Sequence, residues 1–435
     1  MLLFTPHITP RLSYVVQYLN EQLGWEAQLT TDEQLFRSHR TEKLNYSHLP
    51  LTPDAFHIKP VGLLAAEGIR RQTIACFPWA GTLAFFKTEE DDLGFDLFSA
   101  LFYLLSRYEE YNEYEPDAYG RYAHTNALAW KEGVLNQPLV DQWLQVFRRR
   151  LQQKLPHLKL RQQVFSFLPT YDIDIAWSWR EKAWWRLLGG ALREPRSIPN
   201  RLQVLLGRHA DPYDCYSWLD EQHRHHQLQP LYFFLMARQR DGLDKNIHPR
   251  NSSLRRLIIH TAETAAVGLH PSVFSNTHPG ALPEEKQLLE QVTGHAVTCS
   301  RHHYLRVQLP HSYRQLLAAG ITHDYSMGYG TVNGFRASTS RSFLWYDLEQ
   351  EQTTQLRVHP LAFMDANALY EAGQTPGEAL QELTEMYNRI KEVQGTCITV
   401  FHNHILGTGA DMAGWREMYA AFLEEVAGAT SVTHL

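Results

Sequence analysis

The chain has little cysteine, and its apolar residues form no long run. Its four cysteines (Cys76, Cys215, Cys299 and Cys397) are far apart and form no CxxC pair. That spacing fits neither a disulfide framework nor a cysteine zinc site, and it is typical of a reducing cytoplasm. No apolar stretch approaches the ~18–20 residues that a membrane-spanning helix needs. The first ten residues contain neither a basic region nor a long apolar region. The sequence therefore predicts no signal peptide and a cytoplasmic location.

The chain also has no large excess of positive or negative charge. The net charge is −6 and only 20% of the residues are charged, which argues against a general nucleic-acid binder. Hydrophobic residues make up 44% and aromatic residues 12% of the chain, a composition that excludes disorder and a coiled coil. At 435 residues the chain is long enough for two or three domains of ~150 residues each.

The pattern of the chain changes near residue 160. Before it, the apolar spacing predicts helices at Arg11–Leu23 and Phe95–Tyr108. Short strand-like pieces, Thr73–Phe77 and Thr82–Phe86, lie between these helices. We predict a small α/β domain of unknown role over 1–160.

After residue 160, short apolar runs alternate with amphipathic helical stretches. This alternation predicts parallel strands joined by crossover helices, and the number of units favours a barrel over an open sheet. The fold class is therefore predicted as α/β, with an imperfect (β/α) barrel over 161–435. The predicted strands are Val164–Tyr171, Leu231–Met236, Val267–Pro271, Ala296–Arg301, Ile321–Ser326, Phe343–Leu348, Leu356–Phe363 and Thr396–His402.

One segment interrupts the alternation. Residues 175–208 contain four tryptophans (Trp177, Trp179, Trp184 and Trp185) and seven Lys/Arg against two Glu. A basic, Trp-rich stretch is able to lie on a membrane surface or to bind an anionic, lipid-linked ligand. A helical insertion that packs its tryptophans on the barrel would give the same pattern.

Polar residues follow the predicted barrel strands. Asp172 and Asp174 come directly after the first strand. Two carboxylates this close repel each other unless a cation or an arginine lies between them, so the pair suits one metal ligand and one general base. A helix cap or an exposed turn would also explain it. Later strands end in His270, Arg301 and His402, and the carboxyl ends of barrel strands meet at one face.

Over roughly 161–435, these ordered motifs resemble the polysaccharide deacetylases, also called the NodB-homology domain or carbohydrate esterase family four. Thr170–Asp174 (TYDID) resembles the family's first motif and His270–Ser272 (HPS) its second, and His402 stands at the place of the fifth-motif histidine. The family's fold is a distorted (β/α) barrel of about seven strands. Leu105–Tyr111 (LSRYEEY) resembles an uncharacterised domain that precedes this barrel in some bacteria, which implies a bacterial subgroup.

The resemblance implies a role for each matching residue. Asp172 is implied as general base, Arg301 as the group that holds it, and His402 as the acid that protonates the leaving amine. Asp174 and His270 are implied as ligands of a divalent metal, with Zn expected and Fe, Co or Ni as alternatives. The candidate substrate-binding residues, all near strand ends, are Asp324, Tyr325, Arg336 and His359.

One position departs from the family's pattern. The second motif carries a further histidine four residues after the first, and here that residue is Phe274, which cannot ligate a metal. A catalytic zinc site usually has three protein ligands. Ser275 is our candidate for the missing position, and His278 and His359 are alternatives. His302 and His303 are interpreted as packing residues, one of them directed inward by strand alternation.

The resemblance therefore predicts a metal-dependent hydrolase. Its reaction would remove N-acetyl groups, bound through a non-peptide C–N amide bond, from an amino sugar of a polysaccharide or of its lipid-linked precursor. The partner is then an N-acetylated glycan, with membrane-surface contact through 175–208. The alternative is a non-catalytic glycan-binding or assembly protein on a degenerate barrel, and other C–N chemistry on the same fold is also open.

Overall fold

The computed structural model describes residues 1–181, 197–239 and 242–427. We call residues 1–160 the amino-terminal part and the remainder the barrel part. The amino-terminal part contains a parallel sheet of short strands in the order β2-β1-β3-β4 and a separate antiparallel pair, β5-β6. The strands are β1 (Leu2–Phe4), β2 (Gln28–Thr30), β3 (Lys43–Tyr46), β4 (Phe56–Ile58), β5 (Phe77–Trp79) and β6 (Thr82–Ala84).

Local sequence signals position the helices of this part. Thr9 caps α1 by accepting a hydrogen bond from the Leu12 backbone, Pro10 occupies the first turn, and Gly24 ends the helix at a φ of 63°. The predicted strand at 73–77 was wrong, because β5 begins only at Phe77. The helices are α1 (Pro10–Leu23), α2 (Glu33–Ser38), α3 (Leu97–Leu105), α4 (Leu128–Lys131) and α5 (Leu139–Lys154).

The barrel part is built on one sheet of nine strands in the order β12-β13-β11-β10-β9-β8-β7-β15-β14. All neighbours are parallel except β12 and β13, which are antiparallel. The strands are β7 (Ser166–Ile173), β8 (Leu231–Leu235), β9 (Ala266–His270), β10 (Cys299–Ser300), β11 (His323–Met327), β12 (Phe343–Asp347), β13 (Gln352–Pro360), β14 (Phe363–Met364) and β15 (Thr396–His402).

The sheet curls until its two halves meet. Phe233 on β8, Tyr325 on β11 and Val400 on β15 belong to one buried apolar cluster, although four strands separate β11 from β15 in the sheet order. The end strands β12 and β14 share no pairing within the described residues, so the sheet does not close by hydrogen bonds. The predicted distorted barrel behind a small α/β part is therefore confirmed.

Crossover helices cover the outside of the sheet. The longest, α11, begins with a capping box in which Thr375 and Glu378 each bond the other's backbone N–H. The helices are α6 (Ile198–Leu205), α7 (Tyr216–His226), α8 (Ser252–Thr264), α9 (Ala281–Thr293), α10 (His311–Ala318), α11 (Pro376–Glu392) and α12 (Trp415–Ala427). Across the described residues, none of the helices is long and apolar enough to cross a membrane.

The two parts share one continuous hydrophobic core. Polar contacts add to it: the Tyr14 hydroxyl donates to the Leu344 carbonyl at 2.9 Å, and Arg11 pairs with Glu351. Asp141 accepts a hydrogen bond from the Ser340 backbone at 2.8 Å. The amino-terminal part is thus packed against the barrel along several elements.

The Trp-rich insertion is described only in its flanks. Trp177 is buried and belongs to the core, and the Arg201 guanidinium lies over the Trp179 ring at 5.3 Å. Trp184 and Trp185 lie outside the described residues. The two described tryptophans therefore pack on the protein, as the helical-insertion interpretation expects.

Candidate metal and catalytic site

Three barrel strands bring the predicted motifs to one edge of the sheet. On the adjacent parallel strands β7 and β15, Asp172 is the register partner of His402. On the other side of β7, β8 separates it from β9, whose last residue is His270. The polar residues that follow these strands consequently face a common space at the carboxyl end of the barrel.

Asp174, His270 and His303 form a compact group of donor atoms. One atom from each lies within 4.8 Å of the others. The Asp174 Oδ1 atom is 3.1 Å from His270 Nε2, and Asp174 Oδ2 is 3.4 Å from His303 Nε2. One carboxylate and two imidazoles are the kind of ligand set that holds a divalent transition metal such as zinc.

The second nitrogen of each imidazole is already engaged. His270 Nδ1 donates to the Arg301 carbonyl at 2.5 Å, and His303 Nδ1 lies 2.7 Å from the Asp244 carboxylate. With each Nδ1 engaged in this way, the Nε2 atoms of the two imidazoles face the Asp174 oxygens. Within the described part of the chain, Asp174 Oδ1 has no hydrogen-bond partner although it is buried. Acceptors that converge in this way need a cation between them, so the donor set fits a metal.

The charges of the group are strongly coupled. Burial alone would raise the pKa of the Asp174 carboxyl, but the nearby His303 charge and the close Nε2 atoms of His270 and His303 lower it well below its usual range. Burial lowers and the two carboxylates Asp174 and Asp244 raise the pKa of His303, with a net rise to about 9. The group therefore holds positive charge tightly, whether as protons or as a metal ion.

Asp172 lies beside this group and is fixed by Arg301. Arg301 Nη1 donates to Asp172 Oδ1 at 2.8 Å, and Arg301 Nε donates to the Tyr325 carbonyl at 3.0 Å. The guanidinium also lies 4.4 Å above the Phe233 ring. Both charged groups are buried, so the arginine keeps the carboxylate in one orientation.

His402 is held by a different carboxylate. Asp365 accepts from the His402 backbone at 2.7 Å through Oδ2 and lies 2.6 Å from His402 Nδ1 through Oδ1. His402 Nε2 is 3.7 Å from Asp174 Oδ2. Burial lowers the pKa of His402, but Asp365, Asp174 and Asp172 raise it to about 10. The imidazole is therefore protonated at neutral pH and able to give a proton.

Ser275 lies apart from the group that could hold a metal. Its hydroxyl donates to the Ser272 carbonyl at 2.7 Å inside a short turn. His278 is exposed and stacks on Phe274, with ring centroids 3.7 Å apart. Among the described histidine, cysteine and acidic residues, His303 joins Asp174 and His270 in the donor group.

The four candidate substrate-binding residues lie elsewhere. Arg336 makes a bidentate ion pair with Glu110 of the amino-terminal part at 2.9 and 2.6 Å. Asp324 accepts hydrogen bonds from Tyr313 and Ser326 and is fully buried. Tyr325 and His359 stack on each other at 4.3 Å and line a different cavity of about 190 Å³.

Sequence reasoning missed His303, Asp244 and Asp365 as parts of the site. His303 was noticed only as a neighbour of Arg301, because a histidine two residues past a strand carries no pattern of its own. Asp244 belongs to a stretch without periodicity, and it also accepts the Val273 backbone N–H at 3.0 Å. Its role follows from the fold and is invisible in the chain order.

A cavity of about 270 Å³ opens over the donor group. Residues of the barrel part make most of its wall, including His302, Tyr304, Tyr370 and His404. Tyr119 and Arg121 of the amino-terminal part complete it. The site is consequently shared between the two parts of the chain.

Comparisons with known proteins cover the two parts separately. The family model of a family of unknown function, DUF7033, matches residues 1–156. No curated protein matches the chain. Among solved structures, an inferred polysaccharide deacetylase from Mycobacterium smegmatis is 13% identical, with 62% of this chain and 87% of that chain covered and a TM-score of 0.42.

Two further solved structures are similar to the chain at comparably low sequence identity. The polysaccharide deacetylase Bc1974 from Bacillus cereus is 10% identical, with 63% of this chain and 93% of that chain covered and a TM-score of 0.31. An allantoinase (Puue) is 8% identical, with 61% of this chain and 86% of that chain covered and a TM-score of 0.40. At such low identities and TM-scores, these likenesses decide neither the reaction nor the substrate.

Proposed function

We propose that the protein is a bacterial, cytoplasmic, metal-dependent hydrolase that removes N-acetyl groups from an amino sugar of a polysaccharide or its lipid-linked precursor. The observation that carries this proposal is the Asp174–His270–His303 donor set, with an arginine-held carboxylate and a protonated histidine beside it. The motif resemblance of the barrel part supports the same reaction. The four free cysteines support a reducing compartment.

The metal site is proposed to consist of Asp174, His270 and His303, with zinc as the first candidate and Fe, Co or Ni as alternatives. A divalent cation there would supply the Lewis acidity that amide hydrolysis requires. Asp244 would keep His303 in the tautomer that leaves Nε2 free, and the Arg301 carbonyl would do the same for His270. Ser275 has no part in this proposal, because its hydroxyl is used within its own turn.

Asp172 is proposed to accept the proton of the attacking water. The Arg301 guanidinium pairs with the carboxylate at 2.8 Å and holds it in one orientation. Since Arg301 is itself fixed by the Tyr325 carbonyl, the base is held in place before the substrate arrives. Such a positioned base typically contributes about 10²–10⁴ in rate.

His402 is proposed to give the leaving nitrogen its proton. Its Nδ1 is engaged by Asp365, so the proton on Nε2 is the one available to the cavity. The pKa of about 10 keeps this proton in place at neutral pH. An amine is a poor leaving group unless it is protonated as the C–N bond breaks, which makes this histidine essential to the mechanism.

The experiment that tests the function is acetate release by the metal-loaded protein from N-acetylated glycans. The panel contains the N-acetylglucosamine tetramer, an N-acetylgalactosamine oligomer and peptidoglycan fragments. Asp172→Asn should abolish release; because it also removes the charge partner of the buried Arg301, circular dichroism checks that the variant is folded at the assay temperature. Full activity in this variant would contradict the proposal.

A chelator separates the hydrolase from the glycan-binding alternative. That alternative was motivated by Phe274, and His303 now accounts for the missing donor. We expect acetate release to stop in chelator and to return on adding zinc. Glycan binding that is indifferent to chelator, with no turnover by the loaded protein, would favour the binding protein instead.

Contact with a membrane surface is the second proposal, and it rests on α6. Ile198, Leu202 and Leu205 are exposed at helical spacing on one face of this helix, which lies within the basic segment 175–208. Sedimentation with anionic vesicles at low salt tests the idea. We expect binding that Leu202→Ser with Leu205→Ser weakens, whereas Ile259→Ser, which removes an exposed apolar residue on α8, leaves binding unchanged.

A further inference from the structure

We propose that the amino-terminal part supplies two glycan-binding side chains, Tyr119 and Arg121, to the cavity over the donor group. The inference rests on the proposed function and gives a role to the region that matches a family of unknown function. Both residues line the same cavity as Asp174 and His402. A barrel without this part would lack one wall of the site.

The loop that carries these residues has a defined shape. Asp117 Oδ1 accepts the backbone N–H groups of Tyr119 at 2.9 Å and Arg121 at 3.0 Å. An isolated bridge pairs Pro116 with Tyr122 across the loop. The loop is therefore pre-organised, and little conformational entropy is lost when a ligand binds to it.

Two of the three guanidinium nitrogens of Arg121 make hydrogen bonds, and the third makes none with the described residues. Its Nε donates to Asp117 Oδ2 at 2.6 Å and its Nη1 to the Tyr304 carbonyl at 2.6 Å. Its Nη2 is buried and has no hydrogen-bond partner among the residues that the structure describes. A charged donor left in this state in the wall of a cavity is suited to a ligand oxygen.

The barrel leaves room for this arginine. A Cβ atom on Gly330 would lie 1.8 Å from Arg121 Nη1, so only glycine permits the contact. Gly330 also lines the cavity. The loop after β11 and the loop of the amino-terminal part therefore fit each other at the site itself.

Tyr119 provides an apolar face beside the arginine. Its ring is 5.0 Å from that of Tyr304, which in turn is 4.5 Å from the His303 ring. Tyr119 and Tyr370 are both exposed at the cavity. Aromatic rings that flank a polar centre are suited to the apolar face of a pyranose.

These contacts indicate the class of substrate. The ligand would be an oligosaccharide in which a pyranose ring near the acetylated one lies against Tyr119 and offers an oxygen to Arg121 Nη2. Asp117 compensates the arginine charge, so a hydroxyl or carbonyl oxygen suffices and a carboxylate is not required. A single acetyl ester without a sugar would reach the donor group but miss both side chains.

The test compares a long and a short substrate on the metal-loaded full-length protein. Acetate release is measured with the same three glycan preparations, and hydrolysis of 4-nitrophenyl acetate reports on the donor group alone. Tyr119→Ala and Arg121→Lys should each raise KM for the glycan by about ten-fold to a hundred-fold. Turnover of 4-nitrophenyl acetate should stay at the parental level, and Tyr119→Phe should restore the glycan KM.

Matched controls remove side chains of the same kind from the same part. Trp130 is an exposed aromatic residue, and Arg150 lies over the Trp79 ring and donates to the Asp92 and Leu93 carbonyls. Trp130→Ala and Arg150→Lys should leave the glycan KM unchanged.

Three results would count against the inference. A parental glycan KM in both Tyr119→Ala and Arg121→Lys overturns it and leaves the proposed function standing. Loss of 4-nitrophenyl acetate turnover together with glycan turnover assigns the two residues a structural role and also overturns it. No acetate release by the parent from any of the glycans overturns the proposed function, and the inference falls with it.

Discussion

Two groups of buried side chains in this molecule each combine one carboxylate with two basic residues, but they differ in how completely their polar atoms are paired. In the domain-interface group, Glu110 binds Arg107 and Arg336. In the site group, Asp174, His270 and His303 converge, and the buried Oδ1 atom of Asp174 has no hydrogen-bond partner among the described residues. A buried charged group whose polar atoms are all paired is typically structural, whereas one with an unpaired polar atom indicates a ligand-binding site.

The interface group shows how complete pairing affects the pKa of a buried carboxyl group. Burial raises the pKa of the Glu110 carboxyl, but Arg336 and Arg107 outweigh it and leave the pKa below its usual value. Arg336 also donates to the Gly328 carbonyl at 3.2 Å. Nothing in this group is left to recognise a substrate, which is why Arg336 fits the interface better than its predicted binding role.

The largest expected effect is the loss of catalysis on changing His402, which lies beside the site group. His402→Gln keeps a donor for Asp365 but cannot give up a proton, so acetate release should fall by about 10²–10⁴-fold. The free energy of unfolding in urea should change little. Parental turnover in this variant would remove the distinction between the two groups.

The reverse is expected at the interface group. Glu110→Gln leaves the buried Arg336 without a charge partner and Arg107 with Glu109 alone, and the free energy of unfolding should fall by about 3–5 kcal/mol. Because the folded-state pKa of Glu110 is lowered, its stabilisation is present above the ordinary carboxyl pKa and is lost as the pH falls through the lowered one. Urea unfolding at neutral and acid pH measures both effects. A variant as stable as the parent would contradict the structural role.

A shift in pH dependence is the next largest effect. Asp365 is a main cause of the raised pKa of His402, and activity needs the protonated imidazole. Asp365→Asn should therefore move the alkaline limb of the kcat profile to lower pH by about one unit or more. Asp347→Asn, which removes a buried carboxylate that binds Arg314, should leave this limb in place. An unmoved limb in Asp365→Asn would argue against His402 as the acid.

The smallest effect is expected at the opposite end of the barrel. His359 is half-buried, and its pKa is lowered to about 3, first by desolvation and then by His323 and Arg357, so it is neutral. His359→Phe should leave acetate release within about two-fold and change the free energy of unfolding by less than about 1.5 kcal/mol. Steady-state kinetics checks this, and a large fall in activity would restore His359 as a site residue.

The sequence predicted much of the barrel and part of the site. Apolar runs with turn residues between them located the strands well, and Thr396–His402 matches β15 at both ends. Asp172, Asp174, His270, Arg301 and His402 were singled out because they follow predicted strands and match the motifs of the resembling family, and they remain candidates.

The remaining site residues depend on long-range geometry. Tyr325 and His359 were expected at the carboxyl end, but they line the cavity reached by Ser166 and Thr396, the first residues of β7 and β15. A strand pattern gives alternation between faces and leaves the depth of a side chain along the barrel unknown. His303 faces Asp174 only because β10 is two residues long and the chain turns immediately after it.

The measurement that tests the account most directly is the metal content of His303→Ala beside Ser275→Ala, in protein purified without a tag or chelator. The account predicts about one divalent ion per chain in the parent and in Ser275→Ala, and its loss in His303→Ala and Asp174→Ala. Retention of the ion by His303→Ala with loss in Ser275→Ala would contradict it and return the third ligand to Ser275.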